Sequence, residues 1–282
     1  MKAKIILIIL FLNNTVFAQV TNVSSGVWSN PAIWSNNLLP VDTTDIILYF
    51  DLVIDINSSC RSLQSNGHNV TINPGVIFNI TGVADSTVDV DGNLYPVVLI
   101  GTQRWMAKNL DVSHYRNGDT IPQVEDNAAW GNLTTGAWCY YEHSTAYGVE
   151  YGKLYNWYAV NDPRGLAPVG WRVSSNLDWG VFAGFLDDPV LDIQAGGKIK
   201  EEGLVHWDPP NAGDNNAGFT GLPGGYRGFS ECFTEGYMAW WWCSDPDGAN
   251  GASSVDVYNQ SYYLEYNGSE KSYGFSVRCV KN

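Results

Sequence analysis

The chain has 282 residues, of which 16% are charged and 45% hydrophobic, with 12 Trp, 16 Tyr and a formal net charge of −14. That length holds one large domain or two unequal ones, with an ample core. The acidic balance repels nucleic acid and anionic lipid, which argues against both as partners, and the wealth of Trp, Tyr, Gly and Asn suits a loop-rich extracellular β-fold better than a helical enzyme.

The first element is an export signal. Met-Lys-Ala-Lys is followed by an apolar run from Ile5 to Leu12 and by small residues around Val16-Phe17-Ala18. A basic start, a short apolar run and an alanine at the cut site describe a signal peptide over residues 1–18. The run is shorter than the roughly 20 residues of a spanning helix, and no later segment is long and apolar enough for a transmembrane span. Cleavage after Ala18 removes Lys2 and Lys4 and takes the net charge to −16. With the first cysteine at Cys60, no cysteine stands beside the cut to carry lipid. The expectation is a protein secreted or held at the cell surface.

Residues 19–84 read as a small β-rich module. Gly26-Val-Trp28-Ser-Asn-Pro31-Ala-Ile-Trp34, Leu39-Pro40 and Asp45-Ile-Ile-Leu48 are followed by short β-branched runs at Leu52–Ile56, Asn69–Ile72 and Val76–Ile80. Asn, Gly, Ser and Pro separate them, so the strands stack as solenoid rungs or form a small sandwich. The paired Trp, Pro, Asp and short strands resemble the first rungs of secreted β-helical proteins such as those with G8-type domains.

A second domain is expected over residues 85–282. Asp91-Gly92, between alternating residues, signals a hairpin. Leu154, Trp157 and Tyr158 recur at helical spacing within Gly152–Val160, as do Trp179, Phe182, Phe185 and Leu186 within Ser175–Leu186, where Ser174 or Ser175 can cap the helix. Both stripes read as core. In a strand at Trp240–Trp242, residues 240 and 242 share one face and 241 takes the other, so most of this cluster is core. The rest alternates short strands with loops, giving an α+β architecture.

Several stretches in this domain resemble the Fibrobacter succinogenes major paralogous domain family. They are Val88–Leu110, Gly136–Tyr141 (Gly-Ala-Trp-Cys-Tyr-Tyr), Tyr151–Trp171, Phe219–Arg227 (Phe-Thr-Gly-Leu-Pro-Gly-Gly-Tyr-Arg), Trp240–Ser244 and Gly274–Val280 (Gly-Phe-Ser-Val-Arg-Cys-Val). The resemblance implies a secreted or surface-attached bacterial protein without a settled biochemical activity. Arg172–Trp179 and the final Gly-Phe-Ser-Val-Arg-Cys-Val are also similar to formylglycine-generating enzymes. That implies a variant of the C-type-lectin-like fold, with two helices flanking a twisted antiparallel sheet that carries long loops.

The five cysteines of an exported chain are expected in disulfides, with one left over. Cys232 with Cys243, across an expected turn, and Cys139 with Cys279 are the candidate pairs, leaving Cys60 free. No pair has the close spacing of the oxidase motif in formylglycine-generating enzymes, and no His or Lys run favours a thiolate at Cys232 or Cys243. A hydrolase needs paired carboxylates or a nucleophile with its base. His68, His114, His143 and His206 are scattered without a nucleophile elbow, while Glu201-Glu202 and Asp187-Asp188 read as solvated charges, which leaves a carbohydrate-active hydrolase as an alternative.

Binding on loops is the leading expectation. The candidate loops are His206–Asp214, Tyr226–Met238 and Ser244–Ser253. Trp207 beside Asp208-Pro209-Pro210 can offer an indole ring to the apolar face of a sugar, or pack against its own prolines. The ligand-binding candidates are Trp207, Asp208, Asp214, Asn215, Tyr226 and Arg227. Asp245 and Asp247 are candidate metal ligands, with calcium as the cation, although Asp and Asn are also ordinary turn residues and the sugar-binding tripeptides of C-type lectins are missing. The expected partner is an extracellular glycan, or alternatively a cell-surface protein.

Overall fold

The computed structural model describes residues 19–41, 44–60, 62–64, 68–80, 86–186 and 195–282. The expected signal peptide and the Asp187-Asp188 turn lie outside the described residues. The chain divides into two compact units, residues 1–83 and 84–282.

In the first unit the strands are β1 (Gln19–Thr21), β2 (Gly26–Val27), β3 (Asp45–Ile47), β4 (Leu52–Ile54), β5 (Ser58–Cys60), β6 (Ser62–Gln64), β7 (Val70–Ile72) and β8 (Phe78–Ile80). They pair in parallel ladders, β1-β3-β6, β2-β4-β7 and β5-β8. Each turn of chain thus lays its strands on the previous turn in the same order, which is the winding of solenoid rungs rather than the antiparallel pairing of a sandwich. Val20, Trp28, Ile33, Trp34, Leu52 and Ile54 fill the interior. At one corner the buried Asn22 side chain replaces a ladder: its Oδ1 accepts from the Tyr49 and Phe50 N–H groups, and its Nδ2 donates to the Phe50 carbonyl at 2.7 Å.

The second unit is mixed, with few helices and mainly antiparallel sheets. Its strands begin with β9 (Ser86–Val88), β10 (Leu94–Ile100) and β11 (Gln103–Met106). The expected Asp91-Gly92 hairpin joins β9 to β10, where Asp89 Oδ1 accepts from the Asp91 and Asn93 N–H groups. After α1 (Asn127–Gly131) come β12 (Trp138–Cys139), α2 (Thr145–Tyr151), β13 (Leu154–Asn156), α3 (Trp157–Val160), β14 (Trp171–Val173), α4 (Asn176–Leu186) and α5 (Ala195–Ile199). The chain closes with β15 (Tyr226–Arg227), β16 (Cys232–Phe233), β17 (Met238–Asp247), β18 (Gly251–Tyr258), β19 (Glu265–Glu270), β20 (Gly274–Phe275) and β21 (Cys279–Lys281). The sheets run in the orders β14-β21-β11-β10-β9, β12-β13-β20-β15-β16 and β17-β18-β19.

The helix expected at Gly152–Val160 is not one element. Gly152, at φ +78°, ends α2, and Leu154–Asn156 then pairs with both β12 and β20. Only Trp157–Val160 is helical, started by the Asn156 side chain accepting the Ala159 N–H at 3.1 Å. Two strand partners outweigh four residues of helical spacing. The loop expected at Ser244–Ser253 is instead largely the β17–β18 hairpin.

The second expected helix is α4. Ser175 Oγ accepts the Asp178 N–H while Asp178 Oδ2 accepts the Ser175 N–H at 2.9 Å, a reciprocal cap. Its inner face sets Trp179 and Phe182 into an aromatic core with Trp105, Phe219 and Trp241, with Trp105 and Trp179 centroids 4.7 Å apart. Trp179 is fully buried. Trp179→Ala should therefore cost about 3–5 kcal/mol of stability in chemical unfolding; a variant as stable as the parent would contradict this core.

Candidate functional site

Register across the β12-β13-β20-β15-β16 sheet builds the most distinctive surface of the second unit. Trp138 lies opposite Tyr155, Tyr155 opposite Phe275, and Tyr226 opposite Phe233. Pairing of Arg227 with Gly274 sets Tyr226 beside Phe275 and completes the row. Because successive residues of a strand face opposite ways, these rings share one face. Trp138, Tyr155 and Phe275 are buried, whereas Tyr226 is half-buried and Phe233 exposed. The row thus runs out of the core into solvent.

Gly225 makes the approach possible at φ +60°, where an added Cβ would lie 2.3 Å from the Phe233 carbonyl oxygen. On the opposite face, a Cβ at Gly274 would lie 2.9 Å from the Trp130 ring. Tyr226 stacks on Phe233 at 5.2 Å and on Tyr273 at 6.0 Å, and Phe229 meets Tyr273 edge-on at 5.1 Å. Trp240, from β17, lies parallel to Phe275 at 5.0 Å and reaches Tyr226 at 5.6 Å. The result is an aromatic face, open at Phe229 and Phe233 and backed by Trp240.

Polar groups border it. Trp240 stands directly opposite Asp256, which stands opposite Glu265. Asn267 Nδ2 donates to Asp256 Oδ1, and Ser254 and Ser269 share a hydroxyl contact at 2.9 Å. Asp256 is 2% exposed and has no cationic partner among the described residues. Burial first, and then the Glu265 charge, push its carboxyl up to about 7, against the opposing effect of the Asn267 amide. Glu265 itself is exposed, as is Glu231 in the β15–β16 turn. Rings, carboxylates and an amide together can hold a ligand that has both apolar C–H faces and hydroxyl groups.

The sequence candidates fall in different places. Tyr226 belongs to this face. Arg227, its neighbour, is buried on the other side of the sheet, where it stacks over Trp130 at 4.6 Å. Its guanidinium donates to the Val124 and Glu125 carbonyls at 3.1 and 2.9 Å and to Asn127 Oδ1 at 2.9 Å, so it holds a loop. Trp207 is not an exposed loop ring: it is 1% exposed, donates to the Gly221 carbonyl at 3.1 Å and packs with the α4 core. The Asp208 backbone fixes that loop, its N–H donating to the Gly236 carbonyl and its carbonyl accepting from Asn259.

Asp214 and Asn215 form turns, accepting from Asn216 and Thr220 respectively. Asp245 Oδ2 accepts the Asn176 N–H at the start of α4, whereas Asp247 lies at the tip of the β17–β18 hairpin. Among the described residues no group of three or more His, Cys, Asp and Glu is arranged to hold a metal ion.

The expected disulfides are absent. Neither expected pair is bonded, because its partners belong to different packed clusters: Cys243 faces the α4 core, Cys279 the core around Phe275, and Cys139 and Cys232 the Trp130 cluster. Burial pushes the Cys139 and Cys279 thiols up to about 12, which keeps them poor nucleophiles. Phe229, Phe233, Tyr273 and Asp256 were not singled out by the sequence, and Trp240 was placed only in the core. The alternation at Trp240–Trp242 placed Trp240 in the chain's aromatic packing, but strand register from distant segments made the face.

The Fibrobacter succinogenes major domain family matches residues 98–281, most of the second unit, and the chain belongs to that family. No curated protein and no solved structure matches the chain.

Asp256 gives the site a pH signature. The native carboxyl keeps its proton up to about pH 7, whereas the unfolded chain releases it near pH 3.9. Stability from this group is thus present at low pH and is lost as pH rises through that window. Asp256→Asn removes the loss. Its stability advantage over the parent should grow between about pH 4 and 7 to roughly 2–4 kcal/mol in denaturant titrations; a difference that stays flat with pH would contradict the buried carboxyl.

Proposed function

We propose that this member of the Fibrobacter succinogenes major domain family is an exported, non-catalytic binding protein that takes carbohydrate on the Tyr226–Phe233–Tyr273 face. Export rests on the signal-like residues 1–18. The observation that carries the reading is the aromatic row that leaves the core at Tyr226 and Phe233. A pyranose presents a flat C–H face to such rings and turns its hydroxyls outward, where Glu231, Glu265 and Asn267 can accept and donate hydrogen bonds. Phe229, Phe233 and Tyr273 are half-buried or exposed, so a ligand finds a surface already formed and little ordering has to occur on binding. The proposed frame is a variant of the C-type-lectin-like fold, with the ligand on its strand ends and connecting turns.

Hydrolysis draws on the neighbouring Asp256 and Glu265 carboxylates, but Asp256 is closed off from solvent beside Trp240. A general acid has to reach the glycosidic oxygen, which favours the binding reading. Calcium is not required by it, since the bordering groups bond to each other directly.

Residues 19–282 should be retained on one or more insoluble polysaccharides, with retention unchanged by chelator. Phe233→Ala and Tyr273→Ala should each weaken it about tenfold, the loss of one ring contact worth roughly 1–1.5 kcal/mol, while the unfolding midpoint changes little for exposed Phe233. Retention indifferent to both substitutions would remove this face from the site, and steady turnover of a glycoside would replace the non-catalytic reading.

A further inference from the structure

A second feature lies away from the aromatic face. A cavity of about 500 Å³ is lined by Lys108, Asn109, Val149, Thr220, Leu222 and Arg278, among others. Arg278 is 1% exposed. Its guanidinium donates to Asn109 Oδ1 at 2.7 Å and to the Met106, Phe219 and Thr220 carbonyls at 2.8 Å. All of these acceptors are neutral. Its hydrogen bonds are thus largely met while its charge has no counter-ion, a costly arrangement for a buried cation.

Lys108, exposed and lining the same cavity, makes no ion pair or hydrogen bond among the described residues. The acid on this cavity, Glu150, is already engaged: its Oε1 lies 2.9 Å from His206 Nε2, and the other ring nitrogen faces Glu201 at 2.8 Å. In a chain of net charge −14, two cations on one cavity against a single lining acid that is turned to a histidine form a local attraction for anions. Leu222 and the exposed Val149 add apolar shoulders.

We propose that this cavity binds the carboxylate of an acidic sugar, such as a uronic acid unit, through Lys108 with the field of Arg278 behind it. The choice of a sugar acid rests on the carbohydrate reading above. The carboxylate follows from the cavity itself: it supplies the counter-charge that no protein group gives Arg278, and accepts from the free Lys108 ammonium as a charge-assisted bond. The volume is within the range of small-molecule sites.

Calorimetric titration of residues 19–282 with trigalacturonate and with galactotriose, its neutral counterpart, tests this. The acidic probe should bind at least about tenfold more tightly. That preference should disappear in Lys108→Ala, in Val149→Trp, which fills the exposed mouth, and at about 0.5 M salt. It should persist in Leu177→Ala, an exposed position on α4 that lines neither site. Equal affinity for both probes, or a preference indifferent to Lys108 and Val149, would overturn the cavity assignment while leaving the aromatic face standing. Binding of neither probe would overturn this proposal, and failure of the protein to be retained on any polysaccharide would overturn the carbohydrate reading separately.

Discussion

Strand register across one five-stranded sheet is the constraint on which the second unit depends. Trp138, Tyr155, Phe275, Tyr226 and Phe233 come from four distant stretches of chain, and only one alignment of the strands lines them up. A slip of one residue in any of these strands would turn its ring to the Trp130 side; in β12 or β15 it would bring Cys139 or Arg227 to the aromatic side. The inner rings bury apolar area and lock the sheet onto Trp240 and Trp242. The outer rings are fixed by the inner ones, so a rigid core presents an aromatic surface to solvent.

A loop-rich unit also has to satisfy its backbone carbonyls, and here buried cations do so. Arg278 gathers the Met106, Phe219 and Thr220 carbonyls, Lys200 those of Tyr258, Asn259 and Ser261, and Arg227 those of Val124 and Glu125. Each guanidinium or ammonium replaces several ladder hydrogen bonds that irregular chain cannot make. Burial lowers Lys200 to about 8 and Arg278 to about 9, because both charges are desolvated. Lys200 spends its three donors on carbonyls, whereas Arg278 borders a cavity. The same structural device leaves one of them positioned to act on a ligand.

Local pattern made some of this legible. The α4 helix could be read because Trp179, Phe182 and Leu186 share a stripe and Ser175 and Asp178 stand at capping distance in sequence. Alternation at Trp240–Trp242 identified opposite faces for the same reason. Leu154–Tyr158 misled because helical spacing over a few residues is weaker than two waiting strand partners. Trp207 could be read as exposed or as packed on its own prolines, yet its indole finds the Gly221 carbonyl and the α4 core, neither visible nearby in the chain. The cysteines show the same limit: closeness along the chain places Cys232 near Cys243 but cannot say that they face different cores. Tyr226 was singled out from its loop, while Phe233 and Tyr273, which complete its face, depend on register set by residues as distant as Trp138.

The central claim is that sugar meets the open end of the aromatic row. Its most direct test is to assign the aromatic ring signals of residues 19–282 by nuclear magnetic resonance and titrate in soluble fragments of a retained polysaccharide. Ligand-dependent shifts are expected at Tyr226, Phe229, Phe233 and Tyr273, with Trp207 and Trp179 unmoved in their core. Shifts confined to other rings, with the Tyr226 group silent under saturating ligand, would contradict it.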